Sequence, residues 1–90
     1  MMVCKLNTFE YDIAEDIIYF HGANRQYNTS ISEDLIILDL DDDESIIGIE
    51  ILDASNQLNI SKEDLADTLK FEENYNAAKE LVYTVFEPDE

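Results

Sequence analysis

The sequence predicts an α+β domain: a small antiparallel β-meander of four to five strands followed by a C-terminal helical segment. Three observations predict it. Two β-rich apolar runs, residues 35–40 and 45–52, flank the acids Asp-Asp-Asp-Glu at 41–44 in the pattern of a hairpin. A third β-rich run, residues 17–21, is closed by Gly22. Ser61, with Asp64 three residues on, carries the signature of a helix N-terminus.

In chain order, residues 5–11 alternate loosely and predict a short strand, with Leu6 and Phe9 to Tyr11 on its apolar side. Residues 12–16 carry turn and helix-start types, and residues 17–21 form the next strand. Residues 24–32 are polar, with Tyr27, Thr29 and Ile31 alternating, which fits an exposed or edge strand. In the hairpin, Ile36, Leu38 and Leu40 share one face, as do Ile47, Ile49 and Ile51. Setting Leu40 opposite Ser45 pairs Leu38 with Ile47 and Ile36 with Ile49. Ile37 then covers Gly48 on the reverse side, and Leu35 sits near Glu50.

Residues 53–59 form a transition. A helix is expected over 61–70, with Leu65 and Leu69 as its apolar stripe and Ala66 beside it. Residues 71–86 carry two patterns. Tyr75, Ala78, Val82 and Val85 fit a helix, whereas the β-branched and aromatic run 81–86 fits a strand. A helical start and a final strand are expected. The organisation is one domain over 1–90, with the sheet core in 1–55 and the helix and closing strand in 56–90.

The chain has 90 residues, 46% of them hydrophobic, enough for one modest core and too many for a disordered acidic tail. Five basic residues face 22 acids, a net charge of −17. Self-repulsion at that charge works against the compact state. Direct binding to nucleic acid is not expected, because the phosphate-neutralising cations are missing. Cys4 is the single cysteine, so no internal disulfide forms, which suits a reducing compartment. No signal-peptide core or membrane-spanning run is present, and a cytoplasmic location is expected.

Residues 11–19, Tyr-Asp-Ile-Ala-Glu-Asp-Ile-Ile-Tyr, and residues 37–55 carry a recognisable pattern, most specific in Gly48-Ile-Glu-Ile-Leu-Asp-Ala. In these stretches, over about residues 5–55, the chain resembles the domain of unknown function numbered 2283, a family of small prokaryotic proteins. The resemblance implies a small β-meander with a helical C-terminus and no established activity. It also implies, for some members, a place in toxin–antitoxin gene pairs. Glu44 stands where the family has glycine, which implies a wider loop than a tight turn. Residues from about 56 onward match no motif of the family.

The sequence offers residues for three chemistries. Asp39, Asp41, Asp43 and Glu50 fall at the ligand spacing of a calcium-binding helix–loop–helix. That motif needs glycine where Glu44 stands, and helices where both neighbours read as strands. A weaker divalent-cation site built on Asp39, Asp41 and Asp43, with Ca2+ as its ion, remains as an alternative. Catalysis is not expected. His21 is the single histidine, Cys4 would need it close by and oriented, and the many carboxylates carry no specific pairing. Gly22 and Gly48 are the only glycines, so no phosphate-cradling loop is expected, and zinc would need more His and Cys.

Binding is the third. Asp12, Glu15 and Asp16, the tip Asp41, Asp42, Asp43 and Glu44, and Glu72, Glu73, Glu87, Asp89 and Glu90 are expected to form an acidic surface. Asp41–Glu44 with Glu72 and Glu73 are its candidate contacts. Tyr27, Tyr75 and Tyr83 are candidate anchors within it. The expected function is that of a non-enzymatic acidic interaction protein, antitoxin-like or nucleic-acid-mimicking, that neutralises a basic partner. That partner would be a toxin or a nucleic-acid-binding effector. Beside the Ca2+ alternative stands a structural protein forming homodimers through the edge near 24–32.

Overall fold

A computed structural model describes residues 6–22, 28–43 and 45–86. Five strands form one antiparallel sheet: β1 (Leu6–Asp12), β2 (Ile17–Gly22), β3 (Thr29–Glu33), β4 (Ile36–Leu40) and β5 (Ile46–Ile51). Three helices follow, α1 (Ala54–Leu58), α2 (Lys62–Leu65) and α3 (Phe71–Phe86), with a 3₁₀ turn at Thr68–Lys70 before the last. The α+β class with a C-terminal helix is therefore as expected.

The strand order is β1-β2-β5-β4-β3, so β2 lies beside β5 rather than its successor. Two local units, the β1–β2 hairpin and the β3–β4–β5 meander, thus join edge to edge. The order follows from composition. β5 is apolar and gains most from the central position, where neighbours on both sides exclude water. β3, Thr-Ser-Ile-Ser-Glu, is exposed along its whole length and takes an edge.

The hairpin register differs from the expected one. Ile36 pairs with Ile51, Ile37 with Glu50, Leu38 with Ile49 and Asp39 with Gly48, after which a bulge sets Leu40 opposite Ile46. The bulge places Ile46 in the core and leaves Ile47 half-buried. Asp39, not Ile37, therefore covers Gly48. Leu35 sits opposite Leu52, whose N–H donates to its carbonyl at 2.9 Å.

The core lies on one side of the sheet. Ile18, Phe20, Ile36, Leu38, Ile49 and Ile51 project toward Ala54, Leu65, Ala78 and Val82 from the helices. An aromatic group bridges the layers: Phe9 packs on Phe20 at 5.2 Å and on Phe71 at 5.3 Å, and Phe20 meets Tyr75 at 5.5 Å.

Three helical expectations need correction. The helix over 61–70 is split. Ser61 caps α2 as expected, its Oγ accepting from Asp64 N–H at 3.1 Å. α2 ends after Leu65, where the Asp64 carbonyl accepts from Asp67 N–H at 3.2 Å and from the buried Asn74 Nδ2 at 3.0 Å. Asp67 then starts the 3₁₀ turn, accepting from Leu69 N–H. Leu65 is buried and Leu69 is 92% exposed, so they share no stripe. Residues 53–59, read as a transition, contain α1. The final strand over 81–86 is instead the end of α3. Ala78 and Val82 bury on one helical face, with Tyr75, Leu81 and Val85 beside them, and that burial outweighs the β-propensity of the run.

Candidate functional site

The hairpin tip is arranged around Asp41, which is 3% exposed. Its N–H donates to the Ser45 carbonyl at 3.0 Å, and its Oδ1 accepts from the N–H groups of Asp43 and Ser45 at 2.9 and 3.0 Å. An aspartate that satisfies its own loop in this way supplies the acceptors that a tight turn's backbone would otherwise provide. Asp41 is therefore part of the loop's construction, whereas Asp42 and Asp43 face solvent. Glu44 lies outside the described residues, as do Cys4, Tyr27 and the acids after Phe86.

The three aspartates of the candidate cation site do not converge. Asp39 points to the reverse side of the sheet, where its Oδ1 accepts from Ser30 Oγ at 2.7 Å, while Asp41 turns into its loop. Among the described residues no three His, Cys, Asp or Glu side chains come together in a way that could hold a metal ion. The calcium-loop spacing is the product of a strand pair, β4 and β5, not of a helix–loop–helix.

Glu72 and Glu73 are exposed in the first turn of α3, where their charge favours the helix dipole. Of the candidate anchors, Tyr75 packs between Phe9, Phe20 and Phe71 with Lys79 Nζ 5.2 Å from its ring centre, so it belongs to the core edge. Tyr83 is exposed at 38%. Asp16 is no surface acid. It is buried, takes a left-handed φ of 58°, and accepts from Tyr11 Oη at 2.7 Å, Ser55 Oγ at 2.7 Å and Ser55 N–H at 3.1 Å. Burial pushes its carboxyl up, but the bonds from Tyr11 and Ser55, with Lys62 nearby, outweigh this and hold it below its ordinary value.

A second surface was not visible from the sequence. The side of the sheet away from the helices is covered by no element among the described residues. Strand pairing sets Glu10, Tyr19, Glu50, Ile37 and Ser32 in one row across all five strands, and Thr8, His21, Gly48, Asp39 and Ser30 in the next. Tyr19 thus has a carboxylate on each side. Its ring stacks along the strand on His21 at 6.0 Å, and His21 Nε2 lies 3.5 Å from Glu10 Oε1. Partial desolvation, with Glu50, Asp12 and Glu15 nearby, pushes the Tyr19 phenol up. Strand alternation alone indicates which residues face together. The β2–β5 pairing that makes them a row is a long-range choice with no local signal.

A family model described as a protein of unknown function, DUF2283, matches residues 8–55. The chain belongs to this family. The matched span starts in β1 and ends at Ser55, the residue that closes on Asp16, so it comprises the sheet and its first helical contact. A Methanosarcina mazei protein named "Putative hypoxanthine phosphoribosyltransferase" is 46% identical over 74 residues, 82% of this chain and 60% of its own length. An uncharacterized protein of Methanocaldococcus jannaschii is 34% identical over 76 residues, 81% of this chain and 64% of its own length. The chain thus spans less than two thirds of the length of these relatives. No solved structure matches it. No described helix is long and apolar enough to cross a membrane.

Proposed function

We propose that this DUF2283 protein is a non-enzymatic, acidic interaction protein that binds and neutralises a basic partner, such as a toxin or a nucleic-acid-binding effector. The observation that carries this reading is the charge of −17 spread over a folded surface. Among the described residues only Asp16 and Asp41 are buried acids, so most of the charge is presented to solvent. Such a surface attracts a basic protein over several ångströms and speeds its association.

The name of the Methanosarcina relative concerns that protein. A phosphoribosyl transfer needs a cradle of backbone N–H groups or cations for phosphate. Gly48 is buried within β5 beneath Asp39, Gly22 ends β2, and the acidic surface repels phosphate. The Ca2+ alternative is weakened because Asp41 is already engaged with its loop.

The test is capture from lysate of the source organism or its host on the immobilised protein, washed at rising salt. A basic nucleic-acid-processing protein that elutes as salt rises, and whose activity falls when the chain is added back, is expected. Capture indifferent to salt, or a partner whose activity is unchanged, would overturn the reading.

A further inference from the structure

The helices cover one side of the sheet and leave the other open among the described residues, and the open side is not an ordinary polar surface. Ile17, Tyr19 and Ile37 lie on it half-buried, flanked by Glu10 and Glu50, with Leu35 exposed at its end. Every described lysine, Lys62, Lys70 and Lys79, belongs to the helical layer instead. Glu50 sits between Tyr19 and Ile37, and its carboxylate takes part in no hydrogen bond or ion pair among the described residues.

We propose that this open sheet face is the docking surface for a basic segment of a partner protein, with an Arg or Lys side chain over the Tyr19 ring between Glu10 and Glu50. The proposal rests on the acidic-interaction reading and gives it a place. Its physical core is Glu50. Any partner that covers the apolar residues must strip water from this carboxylate, and a buried charge without a partner is costly. The covering surface must therefore bring a cation to that point. The Tyr19 ring has one π face against His21 and a carboxylate in the strand on either side, and its other π face adds its attraction to that cation. A second copy of this chain would bring its own Glu50 and Glu10 to the same place and be repelled. A nucleic acid would be repelled by the same charges. The apolar residues supply contact area that is insensitive to salt, which separates this surface from the exposed acids at the hairpin tip.

The probe is a short peptide of alternating arginine and valine, blocked at both ends, titrated into the isotopically labelled protein and followed by amide NMR shifts. The expected result is shifts centred on Tyr19, Glu50 and Ile37. Glu50→Gln should lower affinity about tenfold, the effect of losing about 1.4 kcal/mol from a charge-assisted contact. Tyr19→Leu should lower it by a smaller factor, and the pair Asp42→Asn with Asp43→Asn by less than about twofold, the range of an exposed charge contact. Thermal melts of each variant serve as the control for folding. Shifts confined to residues 41–45 or to α3, with Glu50→Gln binding as wild type, would overturn the docking face and leave the acidic-interaction reading standing. Failure of the wild-type protein to bind either this peptide or long polylysine would overturn both.

Discussion

Asp16 and Ser55, 39 residues apart, are joined twice: Ser55 N–H donates to Asp16 Oδ1 at 3.1 Å and Ser55 Oγ donates to Asp16 Oδ2 at 2.7 Å. The Asp16 carbonyl also accepts from Ala54 N–H at 3.0 Å. Asp53, at the sequence position of the α1 cap, sits at a left-handed φ of 54° and makes no side-chain cap bond. The α1 N-terminus is thus capped from the β1–β2 turn, and Tyr11 adds its hydroxyl to the same carboxylate. Asp16→Asn keeps the shape and loses the second acceptor oxygen, leaving the Ser55 hydroxyl or the Tyr11 hydroxyl opposed by an amide. A loss of about 2 kcal/mol in urea unfolding is expected, and about 1 kcal/mol for Ser55→Ala. A double variant whose cost equals the sum of the singles would show that the two groups act independently.

Acid and salt responses follow from two opposing effects. The Asp16 carboxyl is held below its ordinary 3.8, so its contribution is present above that value and lost as pH falls through the lower, folded one. The net charge of −17 acts the other way, since protonating surface acids toward the isoelectric point near 4.1 relieves repulsion. The melting temperature should therefore rise on going from neutral pH toward about 5, then fall steeply below about pH 4. Asp16→Asn should flatten the acid limb and leave the upper one. Sodium chloride at neutral pH should raise the melting temperature by screening. A melting temperature indifferent to salt would mean that the acids are already neutralised within the fold.

Local signals in the sequence were sufficient for most elements and insufficient for their arrangement. The strand β2 was legible from its β-rich run closed by Gly22, β4 and β5 from their apolar alternation, and β3 from alternation within a polar stretch. The Ser61 cap was legible from its spacing to Asp64. The register was not, because the bulge at Ile46 shifts the pairing, and both registers bury apolar residues. The β2–β5 contact joins segments about 30 residues apart and has no pattern of its own. The run 81–86 misled because β-branched residues state a preference that burial on α3 overrides. At the tip the acids were legible as a cluster, but only the loop geometry separates Asp41, which builds the turn, from Asp42 and Asp43, which face water.

The same distinction gives a prediction for the hairpin. Asp41→Ala removes the acceptor for two loop N–H groups and should cost about 1–2 kcal/mol in thermal or urea unfolding. Asp42→Ala should be neutral or slightly stabilising, since it relieves like-charge repulsion at an exposed position. Equal losses from both would mean that the tip aspartates are interchangeable, contrary to the bonds that Asp41 makes.

Gly48 and Asp39 form a cross-strand pair in which size is the constraint. A Cβ at position 48 would lie 3.2 Å from Asp39 Oδ2 and 3.6 Å from the Phe20 carbonyl. The second distance is ordinary contact, so the carboxylate is what must move. It is held by Ser30 Oγ, and its displacement strains that bond. Gly48→Ala should destabilise alone by about 0.5–1 kcal/mol, the scale of a disturbed hydrogen bond. In an Asp39→Ala background the same change should stabilise, because alanine loses less backbone entropy than glycine in a strand. The sign reversal is the measurement. A substitution equally costly in both backgrounds would place the obstruction in the backbone of β2.

Leu35 is where local backbone cost can be removed outright. β3 and β4 are joined by two residues, Asp34 and Leu35, with φ of 53° and 66°. Two consecutive positive φ values define the turn whose twist matches a two-residue hairpin, and the turn favours Asn or Asp followed by Gly. Asp34 suits its place. Leu35 does not, since a branched side chain in the left-handed region costs about 1–2 kcal/mol. Nor does burial offset the cost, because Leu35 is 54% exposed. The backbone bond from Leu52 N–H to its carbonyl is independent of the side chain and survives substitution. Leu35→Gly removes the strain and returns about 0.4–1 kcal/mol to the unfolded chain as entropy, for a net stabilisation of up to about 1 kcal/mol. Because Leu35 borders the proposed docking face, the same variant should bind the arginine–valine peptide more weakly while melting higher. Strain retained at an exposed leucine is then explained by contact with a partner. A variant that melts higher and binds unchanged would leave Leu35 outside that contact.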